Sequence, residues 1–123
     1  MATSTILNEH ASTVLYENTT NPLAPTVKDT AVSTTLQSLS GIRSVCVLAK
    51  IGDRSNARIY MPIVDGVGST TITEYSSSTY YICIWIEVQT NTNSISIRVR
   101  NIGDGWSSAI ASHASVYKVI GYY

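Results

Sequence analysis

Phenylalanine is absent from this 123-residue chain, and several other residue types are scarce. There are two cysteines, two histidines and three prolines, and charged residues reach only 13%, eight of each sign. Each shortage closes off a class of protein. Two cysteines, Cys46 and Cys83, do not make a disulfide framework, and in a chain made in a cytosol they are expected as free, buried structural thiols. His10 and His113 have no Cys, Asp or Glu at metal-ligand spacing, so no metal site is expected. The balanced, sparse charge leaves no basic patch to track phosphates, which argues against nucleic-acid binding. The start, Met1 to Leu7, lacks the basic lead and the roughly 7–15-residue apolar stretch of a secretory signal. No apolar run approaches the ~20 residues of a membrane span. The expectation is cytosolic synthesis without membrane insertion.

Catalytic groupings are missing as well. There is no Gly-x-Ser-x-Gly elbow, and Gly66-Val67-Gly68 is followed by neither the third glycine nor the helix of a nucleotide loop. Acidic residues are scattered. A nucleophile built from Cys46 or Cys83 would require a strand-buried thiol to be exposed and activated. The sequence points to a protein that is not an enzyme and carries no cofactor.

What the chain has in abundance is β-forming residues. Ile, Val and Thr total 40, and Ser with Thr 32. Eight tyrosines take the place of phenylalanine, which suits aromatics that keep one end in water. The length is that of one domain, burying roughly two-thirds of its surface.

The chain is organised around Tyr80–Arg100. Residues two apart share a face of a strand. Ile82, Ile84, Ile86 and Val88 therefore align on one arm, and Ile95, Ile97 and Val99 on the other. Thr90-Asn91-Thr92-Asn93 links the arms, with asparagines that tolerate the left-handed turn conformation. Seven β-branched residues thus form the buried face of an antiparallel hairpin. The opposite face carries Tyr81, Cys83, Trp85 and Glu87 against Ser96, Arg98 and Arg100, where Glu87 has an arginine within reach across the strands. Two readings of its aromatics stand: another loop or strand covers them, or Tyr81, Trp85, Arg98 and Arg100 form a subunit interface.

Other segments follow the same logic. Residues 1–11 read as an arm or lead-in, with Ile6 and Leu7 as paired apolar anchors. Ser12–Asn18 is a first strand, and Thr19–Lys28, holding Pro22 and Pro25, a loop. In Thr30–Leu39, Val32, Leu36 and Leu39 have helical spacing, but the intervening Ser, Thr and Gln favour a strand. Ser44–Ile51 is apolar on both faces and reads as an inner strand. Gly52–Asn56 reads as a turn, and Ala57–Ile63 as the returning strand, with Pro62 marking an edge or bulge. Asp65–Gly68 turns again, Ser69–Tyr75 is a strand, and Ser76–Ser78 leads into the hairpin. Asn101–Ser115 is either a short helix or an irregular loop, and Val116–Tyr122 is a closing strand docked in a sheet. Eight closely spaced strands predict an all-β, single-domain antiparallel sandwich, jelly-roll-like, over residues 12–123.

Taken in order, these pieces resemble a known group. They are Val14-Leu15-Tyr16-Glu17-Asn18, Leu39 to Leu48, Ile59-Tyr60-Met61-Pro62-Ile63, the Ile-rich hairpin, Gly105-Trp106-Ser107 and Val116 to Tyr122. The order is similar to that of the small β-sandwich head domains of bacteriophage tail fibres, tail tips and head fibres. The resemblance implies a homotrimeric protein on the virion surface that contacts other virion proteins and binds host-surface glycan. No heptads or repetitive shaft precede the domain, which favours a capsid decoration protein or head-fibre knob over a long fibre. In that setting residues 1–11 are expected to anchor the domain to its neighbours. The competing expectation is a stand-alone carbohydrate-binding lectin module. Its candidate ligand residues are Trp106, in a Gly/Ser loop, and Tyr75; the alternative for Trp106 is a plug at one end of the sandwich.

Overall fold

The computed structural model describes residues 11–52, 54–75, 81–102 and 114–123. Its eight strands are β1 (Ser12–Glu17), β2 (Val32–Thr35), β3 (Ser44–Ile51), β4 (Arg54–Pro62), β5 (Val67–Tyr75), β6 (Tyr81–Gln89), β7 (Ser94–Ile102) and β8 (Ala114–Tyr122). Sheet A runs β1-β8-β3-β4 and sheet B runs β2-β7-β6-β5, with every pairing antiparallel. The all-β sandwich expected from the alternation is the fold. β1 pairs with β8 and β2 with β7, so the two ends of the chain nest as in a jelly roll. The β3–β4 and β5–β6–β7 neighbours are simple sequential hairpins.

The hairpin reads as the sequence implies. All seven of its inward β-branched residues are at most 1% exposed. Against them sheet A sets Val45, Val47, Ala49 and Ile51 of β3, Met61 of β4, and Val116 and Val119 of β8. A one-residue slip in either sheet would exchange these with their outward neighbours, so burial fixes the register. β8 lies inside sheet A between β1 and β3, as expected for a docked terminal strand, and β3 is the inner strand its two-sided apolarity suggested. Pro62 ends the edge strand β4, where its missing N–H costs no ladder bond.

Loops close one end of the sandwich. Asn93, at φ 46°, accepts the Leu36 N–H on its carbonyl (2.6 Å) and the Leu39 N–H on Oδ1 (2.9 Å). The β6–β7 turn thereby holds the β2–β3 connection, which buries Leu36, Leu39 and Ile42. Asp65 and Gly66, at φ 53° and 82°, make the tight two-residue turn between Val64 and Val67 whose twist matches a hairpin. Thr90 donates to the Gly66 carbonyl from both its N–H (2.9 Å) and its hydroxyl (3.1 Å).

Several boundaries differ from expectation. The Asn101–Ser115 segment is shorter at both ends, since β7 runs on through Ile102 and β8 begins at Ala114. The strand in Thr30–Leu39 is only Val32–Thr35; Leu36 and Leu39 reach the core from a loop, so their helical spacing reports burial and not helix. Arg54 already pairs with Ile51, so β4 starts earlier than the Gly52–Asn56 turn implied. Val67 and Gly68 belong to β5, because Asp65-Gly66 completes the turn unaided. Ile6, Leu7, Ser76–Ser78, Trp106 and the helix-or-loop question over Gly103–His113 lie outside the described residues.

Candidate functional site: two outward sheet faces

With the inward residues committed to one core, chemistry toward a partner falls to the two outward faces. On sheet B, cross-strand pairing aligns Ser33, Ser96, Glu87 and Ser69 in one row, and Thr35, Ser94, Gln89 and Val67 in the next. Beyond them Arg98, Trp85 and Thr71 stand abreast. The Arg98 guanidinium carbon lies 4.8 Å from the Trp85 ring centroid, a cation–π stack on a half-buried indole. The Arg98 Nε is buried without a hydrogen-bond partner.

The Glu87–arginine ion pair that the sequence suggested does not form with Arg98. Register sets Ser96 opposite Glu87 and moves Arg98 one outward pair along, onto Trp85; Glu87 accepts a hydrogen bond from Gln89 Nε2 instead. Trp85 and Arg98, two of the four candidate interface residues, are therefore brought together. Tyr81 is half-buried at the start of β6, opposite Tyr75. Arg100 is the extra residue of a bulge between the Cys83 and Ile84 pairings, and the side chains of Arg100 and Tyr75 lie outside the described residues. Cys83 is half-buried on this face, not sealed in the core as expected, because the odd positions of β6 point outward.

The outward face of sheet A is a site that sequence reasoning missed. Its rows are Ser12–Tyr122–Ser44–Pro62, then Val14–Ile120–Cys46–Tyr60, then Glu17–Lys118–Leu48–Arg58. The middle row is an apolar and aromatic band crossing all four strands. Val14 is 46% and Tyr60 65% exposed, while Cys46 beneath them is 1% exposed although it points away from the core. Tyr122 is close to this thiol: burial pushes its phenol pKa upward, Cys46 and Tyr60 add to the rise, and Arg58 pulls it back. Glu17 pairs with Lys118 at 3.3 Å, and the Tyr117 hydroxyl donates to Asn56 Oδ1 at 2.9 Å. The apolar outward side of β3 was legible; that Val14, Ile120 and Tyr60 would line up with it required the register.

Both thiols are free, and they sit on the outward faces of opposite sheets. Among the described residues no group of three or more His, Cys, Asp or Glu gathers as a metal site. Protein-family models, curated proteins and solved structures yield no match to this chain.

Proposed function

We propose that this chain is a non-enzymatic structural protein of a bacteriophage particle, displayed on its surface as capsid decoration, head fibre or tail knob, and working by association with its own copies and with other virion proteins. The observation that carries the associative part is the Val14–Ile120–Cys46–Tyr60 band, since partly exposed aliphatic and aromatic side chains on an outward sheet face are the chemistry of a protein contact. The virion setting rests on the resemblance of the sequence segments, taken in order, to those of phage head domains. Antiserum against the purified chain, applied to density-purified particles from cultures carrying its gene, tests the proposal. Labelled particles are the expected result; a chain found only in the soluble fraction overturns it.

A second reading, the stand-alone lectin, is favoured by sheet B. Ser33, Ser96, Ser69 and Thr71 surround Glu87, Gln89 and Arg98 beside an indole, the mix of groups that binds sugar hydroxyls. A glycan array distinguishes the two: strong binding lost in Trp85→Ala or Arg98→Ala supports the lectin, and a blank array with labelled particles supports the structural role.

A further inference from the structure

We infer that the outward face of sheet A is covered by the same face of a second copy of this chain, related by a two-fold axis running parallel to the strands. The inference stands on the face itself and needs nothing of the phage reading. An isologous contact requires a surface complementary to itself, so the question is which residues each two-fold brings together.

An axis along the strands keeps each cross-strand row at its own height and exchanges the sheet's two edges. β1 of one copy then lies over β4 of the other, and β8 over β3. In the middle row Val14 meets the second copy's Tyr60, and Ile120 meets its Cys46. In the next row Glu17 meets Arg58 and Lys118 meets Leu48. Arg58 makes no ion pair among the described residues, and Glu17 has only Lys118, so each contact of this kind joins a cation to an acid that still has accepting oxygens. Packed sheets are rotated by about 30°, which moves edge residues a few ångströms along the strand, within the span of Glu and Arg side chains. The other face-to-face two-fold, across the strands, reverses the row order. It sets Glu17 over Ser12 and Arg58 over Pro62, so neither charge is answered. Charge therefore selects the first axis.

The size is also sufficient. Four strands about 4.8 Å apart and about eight residues long give a footprint of roughly 500 Å² per copy. Both copies together bury about 1,000 Å², near the lower bound for a specific contact. Its centre is apolar, one flanking row carries Glu17, Lys118 and Arg58, and the other carries Ser12, Tyr122 and Ser44, so the rim is polar as is usual for such a patch.

Sedimentation equilibrium of the whole chain tests this. The wild type is expected as a dimer at tens of micromolar. Arg58→Glu and Glu17→Arg are each expected to weaken association at least tenfold while the dissociated monomer, melted at low concentration, stays folded with nearly the wild-type transition, since both positions are exposed and the Glu17–Lys118 pair is a surface one. In a Cys83→Ser background, Glu17→Cys chains mixed with Arg58→Cys chains should cross-link under mild oxidation, and each variant alone should not. A monomer at high concentration, or a dimer indifferent to both charge variants, overturns the inference; if Trp85→Ala dissolves that dimer, the contact lies on sheet B. A stable trimer also overturns the two-fold while leaving the phage reading standing, and particle labelling fails or succeeds independently of all three.

Discussion

Sheets A and B supply one core in common and show water opposite surfaces. Outward, sheet B presents Ser33, Thr35, Ser69, Thr71, Ser94 and Ser96 around a single stacked pair, Trp85 and Arg98. Outward, sheet A presents an apolar band edged by Glu17, Lys118 and Arg58. The inward sides are interchangeable in kind, both being aliphatic, so they specify a sandwich and nothing about its use. The outward sides differ because the chain spends hydroxyls on one and aliphatics and tyrosines on the other. A hydroxyl-rich sheet face is satisfied by water. An apolar band is not, and its partial exposure is what points to a partner.

The strongest way to break the comparison is to remove the core that both faces share. Ile84 is fully buried in β6 and faces sheet A. Ile84→Asp places an unpaired carboxylate among aliphatics, a cost of several kcal/mol against a total stability of about 5–15 kcal/mol. Thermal melting monitored by circular dichroism should show an unfolded chain. An unchanged transition would mean that the hairpin's inward face is not the one identified.

Gly121 probes sheet A alone. A Cβ there would lie 2.8 Å from both Leu15 and Ile42, the residues that close β1 and the β2–β3 connection over β8. Gly121→Ala is expected to cost about 1–3 kcal/mol in a urea melt, as overpacking in a filled site does. Wild-type stability would show that β1 yields freely and that sheet A's edge is looser than its register implies.

How far these elements were legible follows from the same asymmetry. Strict alternation over Tyr80–Arg100 determined the β6–β7 pair, its turn and its buried face, because a period of two is visible within one strand. The candidate site was only half legible. Trp85 and Arg98 sit on one hairpin, so their sharing a face could be read locally, although which arginine would stack and which residue would oppose Glu87 depended on register. The sheet A band draws Val14, Ile120, Cys46 and Tyr60 from four strands spread over most of the chain. No local pattern joins them. Leu36 and Leu39 show the converse: helical spacing met by two loop residues whose burial is imposed by Asn93 from another element.

A smaller effect sharpens the division of labour between the faces. Trp85 is half-buried and holds Arg98, so Trp85→Ala should lower stability by about 1 kcal/mol, of which the cation–π stack accounts for about 0.5–1 kcal/mol. Tyr60, at 65% exposed, should tolerate Ala within about 0.5 kcal/mol in the isolated monomer. Paired urea melts check both. Equal losses would mean that Tyr60 stabilises the monomer and that the sheet A band is part of the fold, not a surface held for a partner.

The smallest expected effect concerns Tyr122, in the row beside that band. Burial raises its phenol pKa first, the neighbouring Cys46 and Tyr60 raise it further, and Arg58 opposes them. A raised folded-state pKa means that the unfolded chain gives up this proton sooner. Below about pH 10 both states hold it and the group leaves stability unchanged. Above that pH the unfolded state is increasingly favoured, so stability falls as pH climbs toward the folded-state pKa. Alkaline titration of the phenolate absorbance should therefore show one of the eight tyrosines ionising late. Tyr122→Phe should remove that late component and soften the alkaline loss of stability. Arg58→Gln should shift the component later still, because it deletes a neighbour that favours the phenolate. If Tyr122→Phe leaves the titration curve unchanged apart from one ordinary tyrosine, the phenol is as wet as its neighbours, and Cys46 owes its burial to Tyr60 and Ile120 instead.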